Sequence, residues 1–244
     1  MGMMSYRQRV VALLGAAPSI PTDYLAYYTM EDVVGSALGD ETGNFDGTIT
    51  DTGDITQVAR GSGKALDFSP TASSDTDRVD IGDIDLNGDF TVAMKLYVGS
   101  AMNENASMVV QKGDPTPTNA DNKSPFWIQF DDRTGISRTM QLRLQMGNGS
   151  AVLGLAVDNS VPALDTYYTF FVGVEGTTMR MYRETTSIGT TAFTGTRQTN
   201  NEAIRLGGYY RTTASFPHTG KIGPIAFYDY WLDSGERQSW IDLA

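Results

Sequence analysis

The chain has 244 residues, with 29 acidic residues against 18 Lys and Arg, a formal net charge of −11, 26 glycines and no cysteine. That length supports one sizeable core, the charge repels nucleic-acid phosphates with no basic stripe to overcome it, and the missing thiols exclude disulfide frameworks, zinc–thiolate centres and cysteine nucleophiles. Asp outnumbers Glu by 22 to 7, a turn-forming bias that, with abundant Thr and Gly, favours an all-β class over long helices. No apolar run reaches membrane-spanning length.

Residues 1–23 read as an arm and 24–244 as a single domain. In the arm, Ser5 and Gln8 suit a capping box, Tyr6, Val10, Leu13 and Leu14 share one stripe, Gly15 suits the stop and Pro18 follows. This spacing predicts a short N-terminal helix with an apolar docking stripe. The same stretch superficially resembles a signal peptide, with a basic start and a small-residue end; a helix retained on the mature protein is the preferred reading.

The strands follow in order. Tyr24–Met30 is aromatic and extended, Gly43–Gly47 is a turn-rich loop leading to Thr48–Thr50, and Gly63–Phe68 reads as an edge-like strand with Ala65 inward. Val79–Ile81 comes next, and Phe90–Val98 is long and apolar enough to be a central strand. Met108–Lys112 and Phe126–Phe130 flank a polar, Pro-containing loop. Met140–Met146 alternates strictly, with Met140, Leu142, Leu144 and Met146 on one face and Gln141, Arg143 and Gln145 on the other. The runs on either side of Glu175-Gly176-Thr177 form a predicted hairpin, with Tyr168, Phe170, Val172 and Val174 sharing the core face. Ala203–Gly208 and Gly220–Asp229 are the last strands. Asp233 caps a short C-terminal helix, and Glu236 stands where it can reach back.

Taken together, Gly63-Lys-Ala-Leu-Asp-Phe68, Val79-Asp-Ile-Gly82, Asp89-Phe-Thr-Val92, Val110-Gln-Lys-Gly113, Thr178-Met-Arg-Met-Tyr182, Ile204-Arg-Leu-Gly-Gly208 and Gly220 through Tyr228, with Leu232 and Glu236, resemble the laminin-G-like branch of the concanavalin A-like lectin and glucanase superfamily, in the family's order. The resemblance implies an all-β, two-sheet antiparallel jelly-roll sandwich between a short N-terminal and a short C-terminal helix. The chain departs from the pattern at Tyr167-Tyr168, where a Trp-His pair often starts the hairpin, and at Glu184-Thr185, where Asp-Gly often turns the next one. The leader Tyr6–Leu14 followed by Tyr24–Tyr27 looks like the start of laminin-G-like structural proteins carried by tailed phages.

Most catalytic chemistry fails on spacing. Glucanases of the superfamily need carboxylates on alternate positions of one strand, and no Glu-x-Asp-x-x-Glu or equivalent occurs among the seven Glu residues. His218 is the single histidine, is expected in a solvated loop, and has no Gly-x-Ser-x-Gly elbow to serve. Gly61-Ser-Gly-Lys64 lacks the first glycine and the hydroxyl of a phosphate loop. Asp83–Gly88 copies half of a helix-loop-helix calcium loop, but the twelfth position is Met94 and a strand follows. Asp40, Asn44 and Asp46 form an oxygen-rich loop that resembles the family's calcium-binding loops, the balance between a calcium site and a solvated turn remaining open; Gly223-Pro224 stands where another oxygen ligand is often found.

If the strands carrying them pair, Trp127 and Gln129 lie beside Gln141, Arg143 and Gln145, an aromatic ring next to amides and a guanidinium that suits a sugar; an ordinary polar sheet face is the competing reading. Tyr209 and Tyr210 add a second aromatic candidate. The reading that follows is a non-enzymatic virion structural protein of a tailed phage, a capsid decoration or tail appendage assembled in the host cytoplasm. Its expected partners are other virion proteins, further copies of itself and host-surface glycans, with neither nucleic acid nor a membrane span. The alternative is a secreted carbohydrate-binding module.

Overall fold

The computed structural model describes residues 19–50, 53–70, 77–99, 107–113, 124–131, 141–158, 162–199, 201–208 and 217–243. The expected N-terminal helix with Tyr6, Val10, Leu13 and Leu14, and the pair Tyr209 and Tyr210, lie outside these residues.

Seventeen strands and one helix are described: β1 (Ala26–Tyr28), β2 (Val33–Val34), β3 (Ala37–Leu38), β4 (Gly47–Thr50), β5 (Ile55–Arg60), β6 (Gly63–Phe68), β7 (Arg78–Asp80), β8 (Phe90–Val98), β9 (Ser107–Lys112), β10 (Phe126–Asp131), β11 (Gln141–Gly147), β12 (Val152–Val157), β13 (Thr166–Glu175), β14 (Thr178–Arg183), β15 (Thr186–Ala192), β16 (Ile204–Leu206), β17 (Gly220–Tyr228) and α1 (Ser234–Ile241). They build two antiparallel sheets. One runs β15-β14-β13-β8-β17-β6-β5, with β1 also paired to β17; the other runs β12-β11-β10-β9-β16-β7-β4-β3-β2.

Alternation sends Phe90, Val92, Met94 and Leu96 of β8, Phe170, Val172 and Val174 of β13, Phe126, Ile128 and Phe130 of β10, and Leu142, Leu144 and Met146 of β11 into one core between the sheets. β8 occupies the middle of its sheet, as its apolar length predicts. β6 is not an edge strand, because β5 and β17 flank it on either side; Ala65, Leu66 and Phe68 are all buried. β17 changes neighbours along its length. Residues 220–222 pair with β6 and 225–227 with β1, and the register to β8 shifts between Ile222 and Ile225. Pro224 sits at this shift, where a residue without an N–H costs the ladder least.

The hairpin of β13 and β14 closes at Gly176, which adopts φ +59. On its second face Thr169, Phe171 and Gly173 of β13 are buried, while Thr178, Arg180 and Tyr182 of β14 are half-buried. Phe171 joins Ala93, Ala226, Tyr228, Leu232 and Trp240 in a separate apolar cluster on the outside of the eight-stranded sheet, formed where α1 folds back. Asp233 accepts from the backbone N–H groups of Gly235 and Glu236, while the Glu236 carboxylate accepts from the Asp233 N–H, so the capping box forms as its spacing predicts.

Candidate functional site

The outer face of the nine-stranded sheet has a different character. Cross-strand register aligns Gln145 of β11 with Trp127 of β10, Trp127 with Gln111 of β9, Gln111 with Arg205 of β16, Arg205 with Asp80 of β7, and Asp80 with Thr48 of β4. A second row places Arg143 against Gln129. All of these residues occupy the strand positions opposite to those that feed the core, so the sheet's alternation turns them onto one surface. Trp127, Gln129, Arg143 and Gln145 therefore share a face and neighbouring strands, while Gln141 stands opposite Asp131 at the end of the same pairing.

The platform is recessed rather than open. Trp127 is 7% exposed, Gln129 6% and Gln111 0%, whereas Gln141, Arg143 and Gln145 are half-buried. β10 has β9 and β11 as neighbours on its two sides. What remains half-exposed on this face is Gln141, Arg143 and Gln145, beside a Trp127 that is almost covered.

Asp80 organises the far end of the row. Its Oδ2 accepts from Arg78 Nε at 2.8 Å and its Oδ1 from Arg205 Nε at 3.0 Å, while Arg205 Nη1 donates to the Gly113 carbonyl at 3.3 Å. Gln111 Nε2 donates to Ser124 Oγ at 3.4 Å. The sequence reading of this site did not include Gln111, Arg205, Asp80 or Arg78. Gln111, Arg205 and Asp80 each follow an apolar residue in Val110-Gln-Lys112, Ile204-Arg-Leu206 and Val79-Asp-Ile81, and Arg78 precedes the last of these, so part of the signal was present. Strand order was needed to bring these residues into line.

The other expected residues behave differently. Asp40 is buried, and its carboxylate closes its own loop: Oδ1 accepts from the Tyr27 N–H at 2.8 Å, and Oδ2 from the Thr42 hydroxyl and from the Asn44 and Phe45 N–H groups, both at 3.3 Å. Asp46 Oδ1 in turn accepts from the Asp40 N–H at 2.9 Å. A cation here would compete with those donors, and among the described residues no group of three or more His, Cys, Asp or Glu is disposed to hold a metal ion.

His218 corrects the expectation of a solvated loop histidine. It is fully buried where the two sheets meet, with Nδ1 2.7 Å from Ser107 Oγ of β9 and its ring edge-on to Phe68 of β6, the centroids 5.7 Å apart. Burial pushes its pKa down to about 3, so the ring is neutral. Gly207 makes this packing possible: it adopts φ +77, and a Cβ there would lie 2.0 Å from the Phe68 ring.

Known proteins share this architecture. A Trypanosoma rangeli sialidase, a mutant displaying trans-sialidase activity, superposes with a TM-score of 0.66 at 14% identity over 91% of this chain and 33% of its own. This chain thus spans about a third of the sialidase. Domain 4 of AbnA, a GH43 extracellular arabinanase from Geobacillus stearothermophilus solved with arabinotriose, superposes at 0.65 with 16% identity, over 90% of this chain and 98% of that domain. The binding domain of Paraclostridial Mosquitocidal Protein 1 gives 0.60 at 11% identity, over 88% of this chain and 50% of that one. No curated protein sequence matches. At these identities the likeness establishes the fold. A laminin-G family model matches residues 73–236, about two thirds of the chain, and the chain therefore belongs to the concanavalin A-like lectin/glucanases superfamily.

Proposed function

We propose that this protein is a non-catalytic glycan-recognition domain that binds through the outer face of its nine-stranded sheet. The observation that carries this reading is the register-aligned row Gln145–Trp127–Gln111–Arg205–Asp80, flanked by Arg143 and Gln129. Amides and guanidiniums around an indole supply the directional donors and acceptors that sugar hydroxyls need, with an apolar ring edge for their C–H faces. Arabinotriose in the AbnA domain supports the same class of ligand. The one carboxylate in the row argues for binding rather than hydrolysis. Glycoside hydrolysis uses two carboxyl groups across the scissile bond, and both oxygens of Asp80 are engaged by guanidiniums.

The setting we propose is the virion of a tailed phage, as a capsid decoration or tail appendage, with residues 1–23 as the docking arm. The support is the resemblance of Tyr6–Leu14 and Tyr24–Tyr27 to the leaders of laminin-G-like phage proteins. Multiple copies on a particle would raise weak glycan contacts to useful avidity. The alternative setting is a secreted carbohydrate-binding module.

A glycan microarray probed with the intact protein and with Arg143→Ala and Gln145→Ala variants tests the binding role. Selective signal that both variants lose supports it; a blank array, or signal indifferent to both, overturns it. Peptide mapping of purified particles tests the setting. The arm at fixed stoichiometry with capsid or tail proteins supports the virion, and free protein in the supernatant supports the secreted module.

A further inference from the structure

The eight-stranded sheet has a small cavity at one end, remote in the fold from the Trp127 row. It opens where β6 and β8 finish and β17 begins, holds about 160 Å³, and is lined by Asp67, Phe68, Ser69, Tyr97, Gly99, Thr219, Gly220 and Lys221. At roughly 30 Å³ per water this is room for about five waters, enough for one sugar-sized ring and too small for an oligosaccharide.

Its walls are fixed by strand pairing. Lys221 stands opposite Asp67 on one side and opposite Tyr97 on the other, and Tyr97 stands opposite Tyr167. The rings of Tyr97 and Tyr167 pack with centroids 5.2 Å apart, and the Tyr97 hydroxyl donates to Asp165 at 3.3 Å. Gly220 lines the cavity in a backbone conformation that favours glycine. It adopts φ +139, and a Cβ there would press on the Tyr97 carbonyl at 3.3 Å and His218 Nε2 at 3.4 Å.

The two charged heads are close without being committed to each other. Lys221 Nζ is 3.9 Å from Asp67 Oδ2, beyond hydrogen-bond length, and 4.8 Å from the Tyr97 ring centroid. Both side chains are partly exposed, at 32% and 25%. A charged ligand would gain from one head and lose to the other. A neutral polyol gains from both, because one hydroxyl donates to the carboxylate while its neighbour accepts from the ammonium, and Ser69 and Thr219 add hydroxyls at the margin.

We propose that this cavity is a second sugar site, taking one terminal, uncharged monosaccharide unit by two adjacent hydroxyls between Asp67 and Lys221 against Tyr97. It is separate from the Trp127 face and would give one domain two points of attachment on a branched or dense glycan, a source of avidity within a single copy.

The test is an NMR titration of the isotopically labelled full chain with methyl glycosides of neutral hexoses and pentoses, with methyl glucuronide as the charged comparison. The expected result is shifts of the Gly99, Gly220 and Lys221 amides with a neutral glycoside. Asp67→Asn, which removes a charge-assisted bond at constant shape, should weaken that binding about tenfold or more, and Lys221→Met should weaken it similarly. Microarray binding through the Trp127 face should be unchanged by Asp67→Asn, which separates failure of this site from failure of the first. If Asp67→Asn does not fold, Lys221→Met and the wild-type shifts still decide. The proposal is overturned if no neutral glycoside moves those amides, if methyl glucuronide binds there in preference, or if both variants bind undiminished.

Discussion

The outer faces of the two sheets start from the same alternating pattern and end in opposite states. On the eight-stranded sheet the outward residues include Phe171, Ala226 and Tyr228, and the chain covers them itself: α1 lays Trp240 over them, and the indole N–H donates to the Tyr228 hydroxyl at 2.9 Å. The linker before α1 is tied down too, since the Thr91 hydroxyl donates to the Tyr230 carbonyl at 2.8 Å and accepts from the Leu232 N–H at 3.0 Å. On the nine-stranded sheet the outward residues include Gln, Arg, Asp and Trp, which meet one another along the register, with Leu155 and Val157 of the edge strand β12 beside Gln145 and Arg143. An apolar outer face needs a lid and becomes core; a polar one can be left to face a ligand. The two faces should therefore separate stability from binding.

Trp240→Ala strikes the covered face hardest. Removing a fully buried indole should cost about 3–5 kcal/mol in urea melts, while protein that remains folded should keep its glycan binding. Loss of selective binding in folded protein would break the separation.

The seam between the sheets carries the next effect. His218 has a folded pKa of about 3, below its ordinary value of 6.5, so the unfolded chain takes up a proton that the folded protein refuses. Its stabilising contribution is complete above pH 6.5 and is lost as pH falls from there toward 3, by several kcal/mol in total. Melts against pH of the wild type and His218→Gln should show a shallower fall in the variant across that window; parallel curves would contradict the buried neutral ring.

Asp80→Ala probes the polar face from its organising end. It leaves two guanidiniums without their carboxylate, which should cost about 1–3 kcal/mol and weaken glycan binding by releasing Arg205 from its place in the row. Gln145→Ala is the complementary change: half-buried and at the margin, it should alter stability by no more than about 0.5 kcal/mol and still reduce glycan affinity. A variant that binds normally would remove Gln145 from the site.

The central strands were legible in the sequence and the margins were not. β8, β10, β11, β13 and β17 carry long apolar or strictly alternating runs because they pack against neighbours on both sides. The strands without a sequence signal are β2, β3, β5, β12 and β15, and the sheet order places β2, β5, β12 and β15 at its four edges. There Thr186-Ser-Ile-Gly-Thr-Thr-Ala192 and Val152-Leu-Gly-Leu-Ala-Val157 are partly exposed and interrupted by glycine, so the pattern weakens. The same limit applied to the site. Trp127, Gln129, Arg143 and Gln145 are found from two strands adjacent in sequence, whereas Arg205 and Asp80 reach the row through pairings 125 residues apart. His218 was misread because a short polar loop gives no hint that Ser107 and Phe68 will close around it.

The most direct measurement is the NMR signal of the Trp127 indole N–H in the full chain, followed during titration with the strongest glycan from the array. The account predicts that it shifts together with the side-chain amides of Gln129 and Gln145. A glycan that binds without moving any of the three would contradict the assignment of the nine-stranded face as the recognition surface.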